Sequence, residues 1–326
     1  MKAIRFHTYG GPEVLRLEEV PVPEIKPDEV LIRVRAAGVN FLDAYQRTGL
    51  YKTPLPFGPG IEGAGVVEKA GSQTGLNPGA RLAWVMHPGA YAQFAAVPAS
   101  KTVPLPDAVD DRAAAAVMAQ GITAEYLCET TYPVKNGDTV LLHAGAGGVG
   151  LLLIQLLKQK GATVYTTVST QEKAAIAKQA GADEAILYTQ TDFAEAVKKS
   201  TKGDGVHVVY DSVGKATYEG SLDVLRPRGM LVLFGQSSGA VPPIDPLLLT
   251  QKGSLFLTRP SLAHYIADAA SLSKRATKVL NLVEKKSLKL YIQRVYPLSE
   301  VAQAQRALES RNTTGKLVVE ITEGAP

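Results

Sequence analysis

Short apolar runs, separated by glycine and proline, dominate the first hundred residues. The runs alternate apolar with polar positions, a pattern typical of strands that bury one face. Their even spacing predicts a small β-barrel. The predicted strands are Lys2–Phe6, Leu15–Val20, Val30–Ala36, Glu62–Ala70, Arg81–Val85 and Tyr91–Val97.

The pattern changes near Asp111. Arg112–Met118 is alanine-rich and predicts a helix, and Gly121 begins a second predicted helix. From Thr139 onward, apolar strands alternate with amphipathic helices, which is typical of a parallel, doubly wound sheet. The predicted strands are Thr139–His143, Thr163–Val168, Ala185–Tyr188, Val206–Asp211, Met230–Phe234 and Ser254–Thr258. The predicted helices between them are Gly148–Lys160, Gln171–Ala180, Phe193–Ser200 and Lys215–Leu225.

The tail from Ser261 is mostly helical but ends in a predicted strand, Lys316–Ile321. We expect this strand to return to the first domain, which would then be discontinuous in sequence. The pattern therefore predicts an α/β protein with a barrel domain over residues 1–122, a Rossmann domain over 123–260, and a return to the first domain over 261–326.

A glycine-rich turn joins the first strand of the alternating region to its helix. Gly145, Gly147 and Gly150 form G-x-G-x-x-G, and Gly148 and Val149 lie between them. Such glycines allow a tight turn, close approach of a pyrophosphate, and packing of helix on strand, while the helix N-terminus attracts phosphate. A P-loop would require Lys and Ser/Thr where Leu151 and Leu152 stand. A glycine turn without a ligand is the alternative.

The end of the second strand of this region bears on the choice of cofactor. An NAD site usually has an acid there for the ribose 2′-hydroxyl, but Thr163–Thr170 contains none. Ser169 and Thr170 can hydrogen-bond a 2′-phosphate, and Lys173 can balance its charge. The run therefore favours NADPH over NADH. The alternative is that Lys173 is an ordinary solvated residue of the helix.

Composition narrows the function class. Hydrophobic residues make up 45% and charged residues 20% of the 326 residues, as in ordinary globular proteins. The formal net charge of +4 gives little support to a nucleic-acid partner. The one cysteine, Cys128, cannot form an intramolecular disulfide. Neither a signal peptide nor a membrane-spanning run is evident, so we expect a cytoplasmic protein without a membrane partner.

Several motifs in order resemble one family along essentially the whole chain. They are Ala36–Asp43, Gly49–Tyr51, Gly60–Val66, His143–Gly150, Val209–Gly214 and Gln251–Ser261. Together they resemble the zinc-free, zeta-crystallin-like quinone oxidoreductases of the medium-chain dehydrogenase/reductase superfamily. The resemblance implies a GroES-like barrel domain, a dinucleotide-binding domain and a cleft between them.

The resemblance also implies cofactor contacts beyond the glycine turn. Ser212 and Val213, and the run from Phe234 to Ser238, follow strand ends, where an open α/β sheet holds its ligand. Tyr188 would lie against the adenosine, and Phe256–Thr258 would face the nicotinamide amide through backbone groups. Arg311 matches a phosphate contact, although a plain surface arginine is equally open. The full set carried over is Thr123, Tyr188, Ser212, Val213, Phe234, Gly235, Ser237, Ser238, Phe256, Leu257, Thr258 and Arg311.

Two positions depart from the zinc alcohol dehydrogenases of this superfamily. Asn40 stands in place of their cysteine ligand, and Ile61 in place of the histidine of their Gly-His-Glu motif. The five histidines lack ligand spacing. His143, at a strand end, is better explained as a structural histidine. We therefore expect no metal.

Four side chains of the barrel domain are candidate catalytic groups under this resemblance. Asn40 could hydrogen-bond the acceptor or the nicotinamide ribose, with Asp43 in support. Tyr45 and Tyr51 could wall the acceptor and polarise its oxygen. The alternative for both tyrosines is that they are aromatic residues of the core or rim and have no chemical role.

These observations predict NADPH-dependent reduction of quinones by hydride transfer in the cleft, without zinc. Reduction of an enone or alkenal double bond is the closest alternative, and a non-enzymatic nucleotide- or RNA-binding crystallin-like role is a second. The family also implies a homodimer through Ser254–Thr258 as an edge strand of the Rossmann sheet, since an exposed apolar edge otherwise invites aggregation.

Overall fold

The computed structural model describes residues 1–322, which form two compact units. The barrel unit comprises Met1–Ile122 together with the chain from Tyr265 onward. The Rossmann unit is Thr123–His264. The second boundary thus lies somewhat later in the chain than residue 260. No helix within the described residues is both long enough and apolar enough to cross a bilayer.

The barrel unit is built on mostly antiparallel strands. They are β1 (Lys2–Arg5), β2 (Arg16–Glu19), β3 (Glu29–Gly38), β4 (Glu62–Ala70), β5 (Arg81–Val85), β6 (Phe94–Pro98), β7 (Thr102–Pro104), β14 (Ile292–Pro297) and β15 (Lys316–Glu320). The main sheet has the order β14-β15-β3-β4-β5-β7, with β6 also paired to β3. Strand β15 pairs antiparallel with β3, so the predicted return of the last strand is confirmed.

Four helices complete the barrel unit or begin within it: α1 (Phe41–Arg47), α2 (Asp111–Tyr126), α9 (Ala269–Glu284) and α10 (Val301–Glu309). Its core is formed by the inward faces of the strands, where Phe6, Trp84 and Tyr91 are completely buried. Burying side chains of this size contributes much of the stability of such a unit.

The Rossmann unit has six strands that are all parallel. They are β8 (Thr139–Leu142), β9 (Thr163–Val168), β10 (Glu184–Leu187), β11 (Val206–Asp211), β12 (Leu225–Leu233) and β13 (Phe256–Thr258), in the order β10-β9-β8-β11-β12-β13. The helices are α3 (Gly148–Gln159), α4 (Gln171–Gln179), α5 (Phe193–Ser200), α6 (Tyr218–Asp223) and α7 (Pro246–Gln251), and a short α8 (Leu262–Tyr265) follows. This is the strand order of a doubly wound dinucleotide-binding sheet, so the predicted fold class is confirmed.

The prediction of two helices around Gly121 is wrong. A single helix, α2, runs through this position and continues as a π-turn over Leu127–Thr131. Gly121 does not break the helix but allows close packing, because a Cβ there would lie 2.6 Å from both Val117 and Val279. Glycine in a helix interior costs about 1 kcal/mol relative to alanine, which the close contact offsets.

The helix predicted over Lys215–Leu225 is shorter than expected. The backbone N–H of Lys215 bonds the carbonyl of Gly239, and that of Ala216 bonds the Ser238 hydroxyl, so the helix begins only at Tyr218. At the other end, Leu225 already belongs to β12. Strands β7 and β14 were not predicted, since neither has a clear alternation of its own.

Candidate active site

The glycine turn lies between β8 and α3, at the carboxyl end of the first Rossmann strand. Gly147 precedes α3, and Gly150 lies in its first turn, where a Cβ would come within 2.5 Å of the Ala144 carbonyl. The left-handed residue of the turn is Ala144, with φ of 56°, rather than Gly145. Gly145 is required for a different reason, because a Cβ there would collide with the Thr166 hydroxyl on β9.

This geometry fits a dinucleotide pyrophosphate. The backbone approaches without side chains at Gly145, Gly147 and Gly148, and the first turn of α3 presents N–H groups that have no partner within the helix. A Cβ added to Gly147 would approach only one described atom outside the neighbouring residues, which is the Ala144 carbonyl oxygen.

The predicted cofactor residues of the Rossmann unit lie mainly at one edge of its sheet. Parallel strands end at the same edge, so the loops that follow β8 to β13 come together there. These loops and strand ends carry Gly145–Gly150, Ser169, Thr170, Lys173, Tyr188, Ser212, Val213, Phe234, Gly235, Ser237, Ser238 and Thr258. Thr123 lies elsewhere in the unit, within α2, and Arg311 is an exposed residue of the barrel unit beyond α10.

The loops after β11 and β12 are joined by hydrogen bonds. The N–H of Phe234 donates to the Asp211 carbonyl at 2.8 Å, and both the N–H and the hydroxyl of Ser238 donate to the Val213 carbonyl. Gly235 packs against Ser212, where a Cβ would lie 2.7 Å from the Ser212 carbonyl oxygen. The two loops are therefore joined to each other at the edge of the sheet.

A buried polar chain lies beneath this edge. His143 Nε2 is 2.9 Å from the Ser221 hydroxyl, which donates to the Asp211 carboxylate at 3.1 Å. Because Ser221 donates onward, it accepts from Nε2–H, and the Thr167 hydroxyl donates to Nδ1. Burial lowers the pKa of His143, so the ring is neutral at pH 7. The His143 ring therefore joins β9 to α6, and Ser221 continues the chain to Asp211 at the end of β11.

The corner after β9 contains an acid, Glu172, that was not among the predicted site residues. Thr170 caps α4 by accepting from the Lys173 N–H at 3.3 Å. Glu172 lies in the first turn of α4, where its own N–H and then the Thr170 hydroxyl lower the pKa of its carboxyl. The Thr170 hydroxyl is therefore already engaged in helix capping. The run Thr-x-Glu-Lys at a helix start is the local signal that could have revealed this.

In the barrel unit, Asn40 belongs to a buried polar triad with Glu62 and Lys316. The Lys316 ammonium donates to Glu62 Oε1 at 2.6 Å and to Asn40 Oδ1 at 2.9 Å. Asn40 Nδ2 donates to Glu62 Oε1 at 2.7 Å, and the Ala119 N–H donates to Glu62 Oε2 at 2.6 Å. The exposed fractions are 8% for Asn40, 0% for Glu62 and 3% for Lys316, so the ion pair is screened from water.

The triad limits what Asn40 can offer a ligand. Its amide hydrogens point toward Glu62 and, at 3.4 Å, toward the Gly38 carbonyl. Its oxygen already accepts from Lys316 and retains one further lone pair. Asn40 is therefore better placed to accept a hydrogen bond from a ligand hydroxyl than to donate one.

Asp43 lies beside this triad but is completely buried. Its Oδ2 accepts from the Asn40 N–H at 2.9 Å and from the Tyr91 hydroxyl at 2.6 Å. Within the described residues, Oδ1 has no hydrogen-bond partner. Burial raises the pKa of Asp43 to about 6, although the Tyr91 hydroxyl opposes this rise. Asp43 thus hydrogen-bonds the Asn40 backbone and the Tyr91 side chain.

Tyr45 and Tyr51 form a second group. Their rings meet edge to face with centroids 5.7 Å apart, and the Tyr51 N–H donates to the Tyr45 carbonyl at 3.0 Å. Tyr51 is 43% exposed, so its hydroxyl is accessible. The structure brings Asn40 and Asp43 together with Glu62, Tyr91 and Lys316. The last three were missed as site residues. Glu62 is the acid at the Gly-His-Glu position, a signal that could have revealed it, whereas nothing local marks Tyr91 or Lys316.

The positions that correspond to zinc ligands in related dehydrogenases carry Asn40 and Ile61. Among residues 1–322, no group of three or more His, Cys, Asp and Glu side chains is arranged to hold a metal ion. The Lys316 ammonium is instead the cation that lies beside Asn40 and Glu62.

Asp43 is expected to make stability depend on pH. Its pKa of about 6 lies above the value of about 3.9 in an unfolded chain. A raised carboxyl pKa stabilises the fold below pH 4, and this contribution is lost as pH rises through 6. The asparagine of Asp43→Asn does not titrate. As pH rises from 4 to 7, the free energy of unfolding of this variant should therefore increase by up to about 3 kcal/mol relative to that of the unaltered protein.

Urea denaturation at a series of pH values would measure this difference. Asp107→Asn changes an exposed acid in the same unit and serves as the control. A flat profile for Asp43→Asn would contradict the prediction.

Comparison with known proteins places this geometry among dehydrogenases. Residues 26–107 match the alcohol dehydrogenase GroES-like domain, and residues 148–284 match the zinc-binding dehydrogenase family. A quinone oxidoreductase of Pseudomonas aeruginosa is 45% identical over 98% of this chain and 99% of its own. A 2-haloacrylate reductase of a Burkholderia species is 41% identical over 96% of this chain and 97% of its own.

Solved structures agree with the sequence relatives. The crystal structure of Escherichia coli quinone oxidoreductase complexed with NADPH superposes with a TM-score of 0.96. That protein is 41% identical, and the match covers 98% of this chain and all of the other. Both units of the chain are therefore included in the likeness.

Proposed function

Because this chain belongs to the quinone oxidoreductase family of the medium-chain dehydrogenase/reductase superfamily, we propose that it is an NADPH-dependent quinone reductase. The observation that carries the proposal is similarity over nearly the whole chain to proteins named for that activity, one of which was crystallised with NADPH. The glycine turn and the absence of an acid from Thr163–Thr170 support the same cofactor.

The Rossmann unit would hold the cofactor at the carboxyl edge of its sheet. The N–H groups at the start of α3 would bind the pyrophosphate. Ser169 and Lys173 would contact the 2′-phosphate, while Tyr188, 51% exposed at the end of β10, would offer a ring face to the adenine. When bound, NADPH supplies the hydride.

The barrel unit would orient the acceptor and stabilise the negative charge that develops on its oxygen. Tyr51, and Tyr45 beside it, would donate a hydrogen bond to the quinone oxygen that gains charge. Asn40 would accept from a ribose hydroxyl, and Asp43 would position Asn40 through its backbone N–H. Adding hydride to a quinone yields a stabilised phenolate-type oxygen, so orientation in a dry site can be enough.

Reduction of an activated double bond is the second candidate. The relative named 2-haloacrylate reductase, at 41% identity, is the observation that keeps it open. The same groups would then stabilise an enolate oxygen rather than a phenolate.

The decisive assay follows NADPH absorbance in purified protein with a simple para-quinone or an α,β-unsaturated ketone. Fast oxidation with the quinone alone is the expected result. Turnover with the enone alone would instead support double-bond reduction as the activity. Tight NADPH binding without turnover would favour a non-enzymatic role.

We also propose a homodimer through the edge of the Rossmann sheet. Strand β13 lies at that edge, beside β12, and its Phe256 and Leu257 are 53% and 36% exposed. Pairing with a second copy would cover these side chains. Sedimentation at micromolar concentration should give a dimer, and a 34.6 kDa species alone would contradict this.

A further inference from the structure

The loop over residues 49–57, here called the strap loop, presents apolar side chains to solvent. It follows α1 and carries Leu50, Tyr51 and Leu55, which are 52%, 43% and 40% exposed. Three large apolar side chains on one short loop are unusual for a segment with no binding role, because exposing them has a hydration cost.

The strap loop is nevertheless firmly attached at its far end. Phe6 and Phe57 exchange two backbone hydrogen bonds of 3.0 Å, and their rings lie 5.6 Å apart. Phe6 is completely buried, so this pair joins the loop to the core of the barrel unit.

Tyr9 holds the middle of the strap loop. Its hydroxyl donates to the Thr53 carbonyl at 2.7 Å and accepts from the Thr53 N–H at 3.0 Å, so one side chain satisfies both backbone groups of Thr53. The Tyr9 ring also covers Gly49, where φ is 79° and a Cβ would lie 2.9 Å from the ring. The loop is thus held in place while its apolar side chains stay exposed.

We propose that Tyr9 is a positioning residue that holds the strap loop so that Leu50, Tyr51 and Leu55 select acceptors with an apolar substituent. The inference rests on the proposed function and specifies its substrate class. An alkyl or isoprenoid chain on the quinone ring would give these side chains an apolar surface to cover, which an unsubstituted ring lacks. Tyr9 does not touch the acceptor itself.

Tyr9→Phe removes the hydroxyl and keeps the ring, so the fold should be retained. Trypsin can cleave after Lys52, an exposed residue of the strap loop, and we expect cleavage there to become about 10-fold faster. We expect kcat/KM for an alkyl-substituted para-quinone to fall about 10-fold, mainly through KM. The loss with the unsubstituted quinone should be smaller, because that acceptor depends on Tyr51 but not on Leu50 or Leu55, and the KM for NADPH should change less than about two-fold.

Two further variants distinguish attachment of the strap loop from selection of the acceptor. Leu50→Ser with Leu55→Ser should lower kcat/KM for the alkyl-substituted quinone without faster cleavage at Lys52. Tyr291→Phe, at a tyrosine of the same unit that is also 43% exposed, is the matched control and should change neither measurement.

Each failure has a distinct signature. Unchanged cleavage and unchanged selectivity in Tyr9→Phe, with normal quinone turnover, would overturn the role of Tyr9. Faster cleavage with an unchanged ratio between the two quinones would overturn the selection of apolar acceptors. Absence of quinone turnover in the unaltered protein would overturn the proposed function, and the cleavage rates would still report whether Tyr9 attaches the loop.

Discussion

Replacing Lys316 with methionine is expected to lower the free energy of unfolding by about 3–5 kcal/mol, because it leaves the buried Glu62 carboxylate without its cation. The Asn40 and Ala119 N–H groups would still donate to Glu62, but neither carries a positive charge. Urea denaturation at pH 7 would measure the loss.

The charge itself can be separated from the loss of packing. Glu62→Gln combined with Lys316→Met removes both charges, and we expect the double variant to recover most of the stability. Lys158→Met breaks a partly exposed pair with Asp183 and should cost less than about 1 kcal/mol. A double variant as unstable as Lys316→Met alone would show that the uncompensated charge is not the cause.

Reversing the charge of Lys173 should change the cofactor preference. Charge-assisted hydrogen bonds contribute about 1.5–3 kcal/mol, so Lys173→Glu should lower kcat/KM for NADPH by about 10- to 150-fold. The carboxylate would add repulsion to a 2′-phosphate, and Glu172 already stands next to it. Steady-state kinetics with NADPH and NADH at fixed quinone would measure the change.

NADH has no 2′-phosphate, and its kcat/KM should therefore change less than about three-fold. Lys178→Glu, at an exposed lysine in the last turn of the same helix, is the control and should affect neither cofactor. An equal loss with NADPH and NADH would mean that Lys173 supports the helix rather than the phosphate.

The sequence was most informative in the Rossmann unit. Strands β9 and β11 and helix α5 have the predicted limits, because each combines a strong local periodicity with glycine or polar residues at its ends. The errors occurred where a distant contact overrides the local pattern. Gly121 stays helical because Val279 packs against it, and α6 starts late because Lys215 bonds the carbonyl of Gly239.

The candidate site was predicted only in part. The glycine turn is contiguous in sequence, so its position between β8 and α3 could be predicted from spacing alone. The barrel-unit site is assembled from residues far apart, since Lys316 contacts groups 254 and 276 positions earlier. A lysine at the start of an apolar strand gives no local sign of such an ion pair.

Local periodicity and backbone chemistry were enough to predict the two kinds of domain, the alternation of strands and helices, and the glycine turn. Which charges meet depends instead on the tertiary structure. It joined Glu62 to Lys316, buried Asp43 against Tyr91 and attached Thr53 to Tyr9. Such contacts depend on how whole strands pair in space, and no local pattern records them.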